Sequence, residues 1–313
     1  MPDIYQQHID VALSNFALRY RNNTMIADII FPRVDVGQPS GFFWVFGRES
    51  LQGGDKDDTR APGAPAIETT RTMSKTQYFT PDHARKSPPI PNEEIGISDL
   101  TDPVQDAARI NQDQILLGHE IRTAALVFAQ ATYAASNRVA LTGTDQWSDP
   151  GSDPVKDIQV GIEAGVLFGT KLPNVLVLGR KTATSLFAHA GIKASLSDAK
   201  NRAVTITDLE QIFQIPQILV GDAVKRSDAG VNSFVWGKHA ALLYVEPNAN
   251  FQSVSFGKTF NWSLAPGSTN GTMVKRWDEP DRSTNAQRTS NHWRHDEQVT
   301  AADTGYFIEN AVA

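Results

Sequence analysis

The apolar and polar positions in the first third of the chain predict a long β-hairpin. Residues 41–47 (GFFWVFG) are bulky and aromatic, and residues 69–80 (TTRTMSKTQYFT) alternate loosely between polar and apolar, a composition typical of strands. Between them, residues 51–66 contain two adjacent glycines, two prolines and the charged run Asp55–Asp58. Such a segment cannot bury enough apolar surface to fold alone, so we predict a hairpin with a flexible tip.

The longest helix-favouring segment predicts a helix over residues 102–137. Asp102 suits the cap position, Pro103 suits the first helical position, and no proline interrupts the segment after that. Apolar residues recur at helical spacing and form one helical stripe, which consists of Ile110, Leu117, Ile121, Ala125 and Phe128. A helix of this length would run about 50 Å, which is more typical of a flat or elongated body than of a compact sphere.

After turn-rich residues 142–154, helices and strands alternate. The pattern predicts helices at 155–168, 182–189 and 207–213, with strands at 174–179, 218–221, 234–237 and 240–245. Residues 250–313 favour further strands, and residues 1–35 favour an extended arm with a short helix at 9–20. Residues 87–96 (SPPIPNEEIG) predict a Pro-rich connector that cannot be helix interior.

Composition narrows the functional classes. The 313 residues are 40% hydrophobic and 20% charged, with a net charge of −6 and no basic tail or stripe, which argues against sequence-specific nucleic-acid binding. The absence of cysteine excludes disulfides and thiol chemistry and is compatible with assembly in a reducing cytoplasm. We expect neither a signal peptide nor a membrane span, because residues 1–10 lack an apolar core and no apolar run approaches about 20 residues.

The sequence offers little catalytic chemistry. Phosphate-loop, dinucleotide-binding, nucleophile-elbow and zinc-protease motifs are absent. Metal-ligand types lie close together in HWRHDE, where His292 and His295 could share a metal in a helix, assisted by Asp296 or Glu297. The plainer interpretation is a charged strand end or loop, because a third well-spaced ligand is missing.

Two other groups also have plain interpretations. Asp55, Asp57 and Asp58 could bind calcium but lack the spacing of a calcium loop, so a solvated tip is favoured. Aromatic residues 42–46 could stack on bases but lack surrounding Lys and Arg, so packing is favoured. The sequence therefore predicts no enzyme, no cofactor and no metal.

Several short stretches resemble those of a known protein family. Each stretch is unspecific alone, but their order and spacing agree over nearly the whole chain. They are 119–128 (HEIRTAALVF), 141–149 (LTGTDQWSD), 152–154 (SDP), 173–179 (PNVLVLG), 218–223 (ILVGDA), 235–247 (VWGKHAALLYVEP), 255–262 (SFGKTFNW) and 301–311 (AADTGYFIENA). Together with the element order, they resemble the major capsid proteins of tailed double-stranded-DNA bacteriophages, which have the Hong Kong 97-like fold.

The resemblance implies an α+β fold with five parts. These are an N-terminal arm (1–35), an extended loop formed by the β-hairpin (36–87), a peripheral domain (88–149) with its spine helix at 102–137, an α/β axial domain (150–250), and C-terminal strands (251–313) that return to the peripheral domain.

It also implies a structural function. Copies of the chain would form pentamers and hexamers of an icosahedral head shell in the virion, after assembly in the host bacterial cytoplasm. The shell would enclose double-stranded DNA without sequence-specific binding and without a membrane. The implied partners are a portal protein, a possible decoration or cement protein and, because the chain begins almost at the arm, a separate scaffolding protein.

In this family the extended loop overlaps a neighbouring subunit, so we expect contacts at its tip, from Gly53, Gly54, Asp55, Lys56, Asp57, Asp58 and Arg60. Some members lock the shell with Lys–Asn isopeptide bonds. Lys56 is the only lysine at this tip, and the surrounding carboxylates would keep its amine protonated and poorly nucleophilic. We therefore expect no covalent crosslinking.

Two alternatives remain open from the sequence. An encapsulin-type nanocompartment shares the fold but encloses cargo enzymes, and neighbouring genes for a cargo enzyme or for a portal and terminase would separate the two. A soluble α/β enzyme with a mobile lid at 51–66 would need a cluster of titratable groups in a cleft, which the sequence does not reveal.

Overall fold

The structure, a computed structural model, describes residues 8–20, 22, 24–48, 59–66, 74–97, 102–196, 203–280 and 285–313. The helices of these residues are α1 (Val11–Arg19), α2 (Ala27–Ile30), α3 (Asn92–Ile97), α4 (Pro103–Val127), α5 (Pro154–Gly169), α6 (Arg180–Ala188), α7 (Ala190–Ser195) and α8 (Ile206–Phe213). Within this described part, no helix has both the length and the apolar character needed to cross a lipid bilayer.

The strands account for the other regular elements. They are β1 (His8–Ile9), β2 (Arg33–Val36), β3 (Ser40–Val45), β4 (Ser74–Phe79), β5 (Asp82–Lys86), β6 (Ile90–Pro91), β7 (Arg138–Ala140), β8 (Val175–Gly179), β9 (Gln217–Gly221), β10 (Val224–Arg226), β11 (Asn232–Phe234), β12 (Ala240–Leu243), β13 (Gly257–Trp262), β14 (Thr272–Pro280), β15 (Asn285–Val299) and β16 (Gly305–Glu309).

The chain folds into two compact units. The first comprises Met1–Gly41, Gln77–Thr123 and Thr259–Gln298, and the second comprises Phe42–Thr76, Ala124–Lys258 and Val299–Ala313. Each unit is therefore assembled from three separate stretches of chain, and each has its own sheet.

The sheet of the first unit is centred on the long strand β15. Its strands follow the order β1-β14-β15-β13-β2, and the short strands β5 and β6 also pair with β15. Helix α4 lies along this sheet, where the side-chain amide of Asn291 donates to the carbonyl of Ala108 at 2.9 Å and Trp293 packs with Ile115 and Leu116. The sheet thus positions the residues of α4 that face β15.

The spine helix begins as predicted and ends earlier than predicted. Asp102 accepts a hydrogen bond from the backbone of Val104, in keeping with its predicted capping role. The helix stops at Val127, ten residues before the expected end at 137. The side chains of Thr132 and Tyr133 fold back and donate to the carbonyls of Leu126 and Val127, which satisfies the end of the helix and directs the chain into short 3₁₀ turns.

The predicted apolar stripe of this helix is only partly buried. Ile110 is 48% exposed, and Ala125 is exposed as well. The buried face instead mixes apolar residues with polar ones, namely Val104, Ala108, Asn111, Gln112, Ile115, His119, Glu120, Thr123 and Val127. Asn111, Gln112, His119 and Glu120 can be buried because partners from distant segments bind them.

The second unit is a five-stranded sheet covered by helices. Its strand order is β7-β16-β12-β8-β9, with β8 and β9 parallel, and α5 packs on β12 and β16. The fit is close, because a Cβ atom added at Gly161 would lie 2.4 Å from Leu242. A separate two-stranded ribbon, β10–β11, follows β9. This unit corresponds to the predicted alternation of helices and strands.

Most of the remaining predicted elements are present, with three differences. Helix α3 occupies residues expected to be a connector, since the prolines of that stretch precede the helix instead of interrupting it. Residues 235–237 form a turn and not a strand, because Gly237 has a positive φ of 53°. Helix α7 follows α6 directly and was not predicted.

Candidate functional site

The predicted hairpin is present, and β3 pairs with β4. Of its expected contact residues, Gly53, Gly54, Asp55, Lys56, Asp57 and Asp58 lie outside the described residues. Arg60 is described and is exposed, next to a turn in which Gly63 has a positive φ of 86°. The contact between the hairpin tip and a neighbouring subunit therefore stays a prediction.

The limb that leads into the hairpin is anchored in the second unit by Arg48. Its Nε lies 3.0 Å from Asp303 Oδ1, its Nη2 lies 2.8 Å from Asn137 Oδ1, and its guanidinium lies 4.1 Å from the ring centroid of Phe168. The backbone N–H of Phe46 also donates to the carbonyl of Thr300 at 2.9 Å. Charge-assisted bonds of this kind hold a chain direction firmly.

The limb that leaves the hairpin is anchored in the first unit. Tyr78 is buried and stacks on Phe260 with ring centroids 4.9 Å apart. The backbone N–H and the hydroxyl of Thr80 both donate to the carbonyl of Pro39, at 2.8 and 3.0 Å. Burial of Phe43 and Phe46 agrees with the prediction that the aromatic residues 42–46 serve packing, although Phe42 is 64% exposed.

A group of imidazole and charged side chains lies between α4 and the inner face of β15 in the first unit. We call it the His119 cluster, and its members are Asp28, His83, His119, Arg122, His295 and Glu297. His119 and Arg122 are three residues apart on a helix, and His295 and Glu297 are two apart on a strand, so each pair shares one face. The fold brings together residues from α2, β5, α4 and β15.

His119 is the fully buried centre of this cluster. Its Nδ1 lies 2.6 Å from Glu297 Oε1, and its Nε2 lies 3.6 Å from Asp28 Oδ1. Burial lowers the pKa of His119, but the adjoining carboxylates of Asp28 and Glu297 outweigh burial and hold that pKa above its ordinary value. Burial likewise opposes ionisation of Glu297, but His119 outweighs burial and holds the pKa of Glu297 well below its usual range. A buried ion pair therefore joins α4 to β15.

The carboxylates of the cluster and its neighbourhood have further partners. Arg33 binds Asp28 in a bidentate manner, with N–O distances of 2.8 and 2.7 Å. Burial raises the pKa of Asp28, but His119 and Arg33 outweigh it and hold that pKa well below its usual range. Glu120, also fully buried, accepts the backbone N–H groups of Ile26 and Ala27 at the start of α2. These bonds explain why the inner face of α4 is polar.

Arg122 supplies the second positive charge. Its Nε lies 3.0 Å from each carboxylate oxygen of Glu297, and its Nη2 donates to Nε2 of His295 at 2.7 Å. Since a guanidinium is only a donor, His295 accepts at Nε2 and is neutral. Burial lowers the pKa of His295 to about 3, and burial together with the charge of Arg122 also lowers the pKa of His83.

The structure replaces the metal-ligand set considered from the sequence with another. Residues 292–297 belong to a strand, so His292 and His295 do not meet; His292 contacts Asp82 at 2.9 Å, and Asp296 accepts the backbone N–H of Phe79. One ligand atom each from His83, His295 and Glu297 lie within 4.8 Å of one another, a donor set that zinc uses. Arg122 already binds Glu297 and His295, so its guanidinium provides the positive charge that a metal ion would provide.

Two pairs in the described residues combine a hydroxyl with an imidazole. Ser290 Oγ lies 3.0 Å from His292 Nε2, and Nδ1 of this imidazole contacts Asp82, but Ser290 is buried in the sheet and offers no exposed nucleophile. The second pair is Ser152 with His189. Ser152 Oγ lies 3.2 Å from His189 Nε2. The other ring nitrogen of His189 accepts the backbone N–H of Gly191, so no carboxylate orients this imidazole as a catalytic triad requires. This pair therefore caps a turn and gives no nucleophile.

The sequence alone missed Arg48 and the His119 cluster. The only local signals were the spacing of His119 and Arg122 on a helix and of His295 and Glu297 on a strand. Neither spacing identifies a partner, because the partners lie about 175 residues away along the chain.

Two phage proteins are similar to the chain over most of its length. The major capsid protein of Pseudomonas phage JBD67 is 33% identical over 320 residues, which cover 97% of both chains. The major capsid protein of Burkholderia phage BcepMu is 26% identical over 238 residues, which cover 76% of both. No protein-family model matches the chain.

Solved structures share the fold. A phage-related protein from Bordetella bronchiseptica superposes with a TM-score of 0.75 at 24% identity, covering 97% of this chain and 98% of that one. An encapsulin from Synechococcus elongatus superposes with a TM-score of 0.55 at 12% identity, covering 96% of this chain and 95% of that one. At these identities the likeness concerns the fold alone.

Proposed function

The chain belongs to the bacteriophage major capsid proteins, and from this premise we propose that its copies form the pentamers and hexamers of an icosahedral head shell around the phage genome. The observation that carries the proposal is 33% identity over 97% of both chains to a phage major capsid protein. The Hong Kong 97-like α+β fold, with a spine helix, a long hairpin and a sheet in each of two units, supports it. The protein is thus a virion component.

We propose a structural role without catalysis. The relatives are structural proteins, and the titratable cluster that stands out among the described residues is buried and internally neutralised. Such a cluster stabilises a fold and does not present a reactive group to a substrate. The alternative of an enzyme with a lid at 51–66 is not favoured, because the hydroxyl of the Ser290–His292–Asp82 arrangement is buried.

The encapsulin alternative rests on fold likeness at 12% identity. The relatives that are similar in sequence are phage capsid proteins, which favours a genome shell over a cargo compartment. Mass spectrometry of purified particles would distinguish them, since an encapsulin would carry a stoichiometric cargo enzyme.

We propose that the parts implied by the sequence serve this assembly. Residues 36–87 act as the extended loop, and its tip, from Gly53 to Arg60, contacts a neighbouring copy. Residues 150–250 act as the axial domain near the symmetry axes. The anchoring of both hairpin limbs, through Arg48 and through Tyr78, supports a loop held in a defined direction. A portal protein, a separate scaffolding protein and a decoration protein are the proposed partners.

The test is expression of the full chain, with and without its scaffolding partner, followed by negative-stain electron microscopy and sedimentation. Closed shells with five-fold and six-fold capsomers are expected, and they should survive a metal chelator because no metal is proposed. Protein that remains monomeric at high concentration with its scaffold present would overturn the proposed function.

A further inference from the structure

The outward face of α5 exposes apolar side chains around one carboxylate. The opposite face of this helix is buried and small, with Gly161 and Gly165 close to the sheet and to Pro173. Outward, Val160 is 45% exposed and Leu167 is 65% exposed, with exposed Glu163 between them. The spacing of three and four residues places these side chains in one line about 10 Å long. This is the anchor pattern of a helix that docks into a groove.

A groove with positively charged residues in its lining lies elsewhere in the same unit. It has a volume of about 520 Å³, its apolar wall includes Val224 and Phe234, and Lys181 and Lys238 contribute the positive charge of its lining. Val224 and Phe234 belong to the β10–β11 ribbon, in which every residue from 224 to 234 is exposed. A two-stranded ribbon without packing is only marginally stable in water, so this one is suited to support from another molecule.

We propose that Val160, Glu163 and Leu167 of one copy dock into the Lys181–Lys238 groove of the next copy around a capsomer. The proposal rests on the proposed function and names the contact that builds the ring. Glu163 matches the two ammonium groups of the groove in charge, and both surfaces are apolar around these charges. The exposed Lys156 lies at the far end of the same outward face, about 10 Å along the helix from Glu163. Two different but complementary surfaces on one chain make a head-to-tail contact. Such a contact forms a ring when the rotation between successive copies closes, as it does in pentamers and hexamers.

Charge reversal provides the first test. We expect Glu163→Lys, and separately the pair Lys181→Glu and Lys238→Glu, each to raise the critical assembly concentration at least about tenfold, which corresponds to about 1.4 kcal/mol. The three reversals together should restore assembly to within about threefold of the native value. Asp145→Lys and Lys193→Glu are matched controls at other exposed positions of this unit and should leave assembly unchanged.

Circular dichroism and thermal melting of the soluble subunits should match the native protein, because all the substituted side chains lie at least partly at the surface. Native shells with an unchanged critical concentration for Glu163→Lys would overturn the docking while leaving the proposed function intact. Single reversals that impair assembly without rescue in the combined variant would also overturn it.

Crosslinking provides a second test that does not need complete shells. The chain has no cysteine, so Glu163→Cys with Lys181→Cys introduces the only two thiols. With a short bismaleimide, we expect this variant to form a ladder of covalent oligomers. The control variant, Asp145→Cys with Lys181→Cys, should show only weak background crosslinking. A ladder without native shells would uphold the docking and refute the proposed function, whereas shells without a ladder would refute the docking.

Discussion

Acid should destabilise the first unit through His295, and His295→Gln should remove that part of the pH dependence. In the folded protein His295 is fully buried, bound by the Arg122 guanidinium and stacked on Trp293 with centroids 3.6 Å apart. Its pKa is lowered from 6.5 to about 3 by burial. Gln keeps a hydrogen-bond acceptor for Arg122 and cannot be protonated in this range.

The sign follows from which state binds the proton. Below pH 6.5 the unfolded chain protonates this imidazole and the folded protein does not, so stability falls as pH falls, until the pH approaches 3. The effect grows by about 1.4 kcal/mol per pH unit, which amounts to about 2 kcal/mol at pH 5 and almost nothing at pH 8. His83 acts in the same direction, because its pKa is also lowered.

Other members of the cluster titrate differently. His119, whose pKa is raised, contributes stability that is present at low pH and is lost as pH rises through its folded value. Asp28 and Glu297, whose pKa values are lowered, lose their contribution only in more strongly acidic solution, below the ordinary carboxyl range. The difference between variant and native protein therefore isolates His295 from the rest of the profile.

The assay is urea unfolding of dissociated subunits between pH 8 and pH 5, followed by circular dichroism. His295→Gln should be less stable than the native protein at pH 8, because the stacking on Trp293 is lost, but this deficit should shrink by about 2 kcal/mol at pH 5. A deficit that stays constant from pH 8 to pH 5 would refute the reasoning.

Three further predictions concern assembly and packing. Replacing residues 51–66 with a short Gly-Ser link should leave the circular dichroism and the melting temperature of the subunit unchanged. It should raise the critical assembly concentration about tenfold, because each contact loses about 1–2 kcal/mol. A variant that unfolds outright would mean that the tip packs within its own chain. Particles should dissociate to single-chain bands in denaturing gels, because Lys56 is poorly placed for isopeptide chemistry, and a ladder of covalent oligomers would contradict this. Gly179→Ala should lower subunit stability by about 1–3 kcal/mol, since its Cβ would lie 2.3 Å from the backbone oxygen of Gly237. Gly96→Ala, in helix α3, meets no atom within 4 Å and should not lower stability in the same melting experiment.

The sequence by itself determined the elements whose causes are local. Asp102 and Pro103 mark the start of α4, and Asp153 caps α5 just before Pro154, because capping involves only residues two or three apart. The hairpin strands and the alternation of helices and strands in the second unit follow from short-range periodicity in the same way. The resemblance to phage capsid proteins extends over nearly the whole chain. It identified the family because it rested on the order of these elements.

Only the tertiary structure decided which face of α4 is buried and where that helix ends. His119 and Glu120 look like surface residues in the sequence, yet they lie inside because carboxylates, backbone N–H groups and imidazoles from distant segments satisfy them. A polar side chain can be buried at low cost only when its partner is present, and the partner Glu297 stands 178 residues away along the chain. Local periodicity contains no information about such a partner, so the start of the helix and the fold class could be predicted, but the end of the helix and the His119 cluster could not.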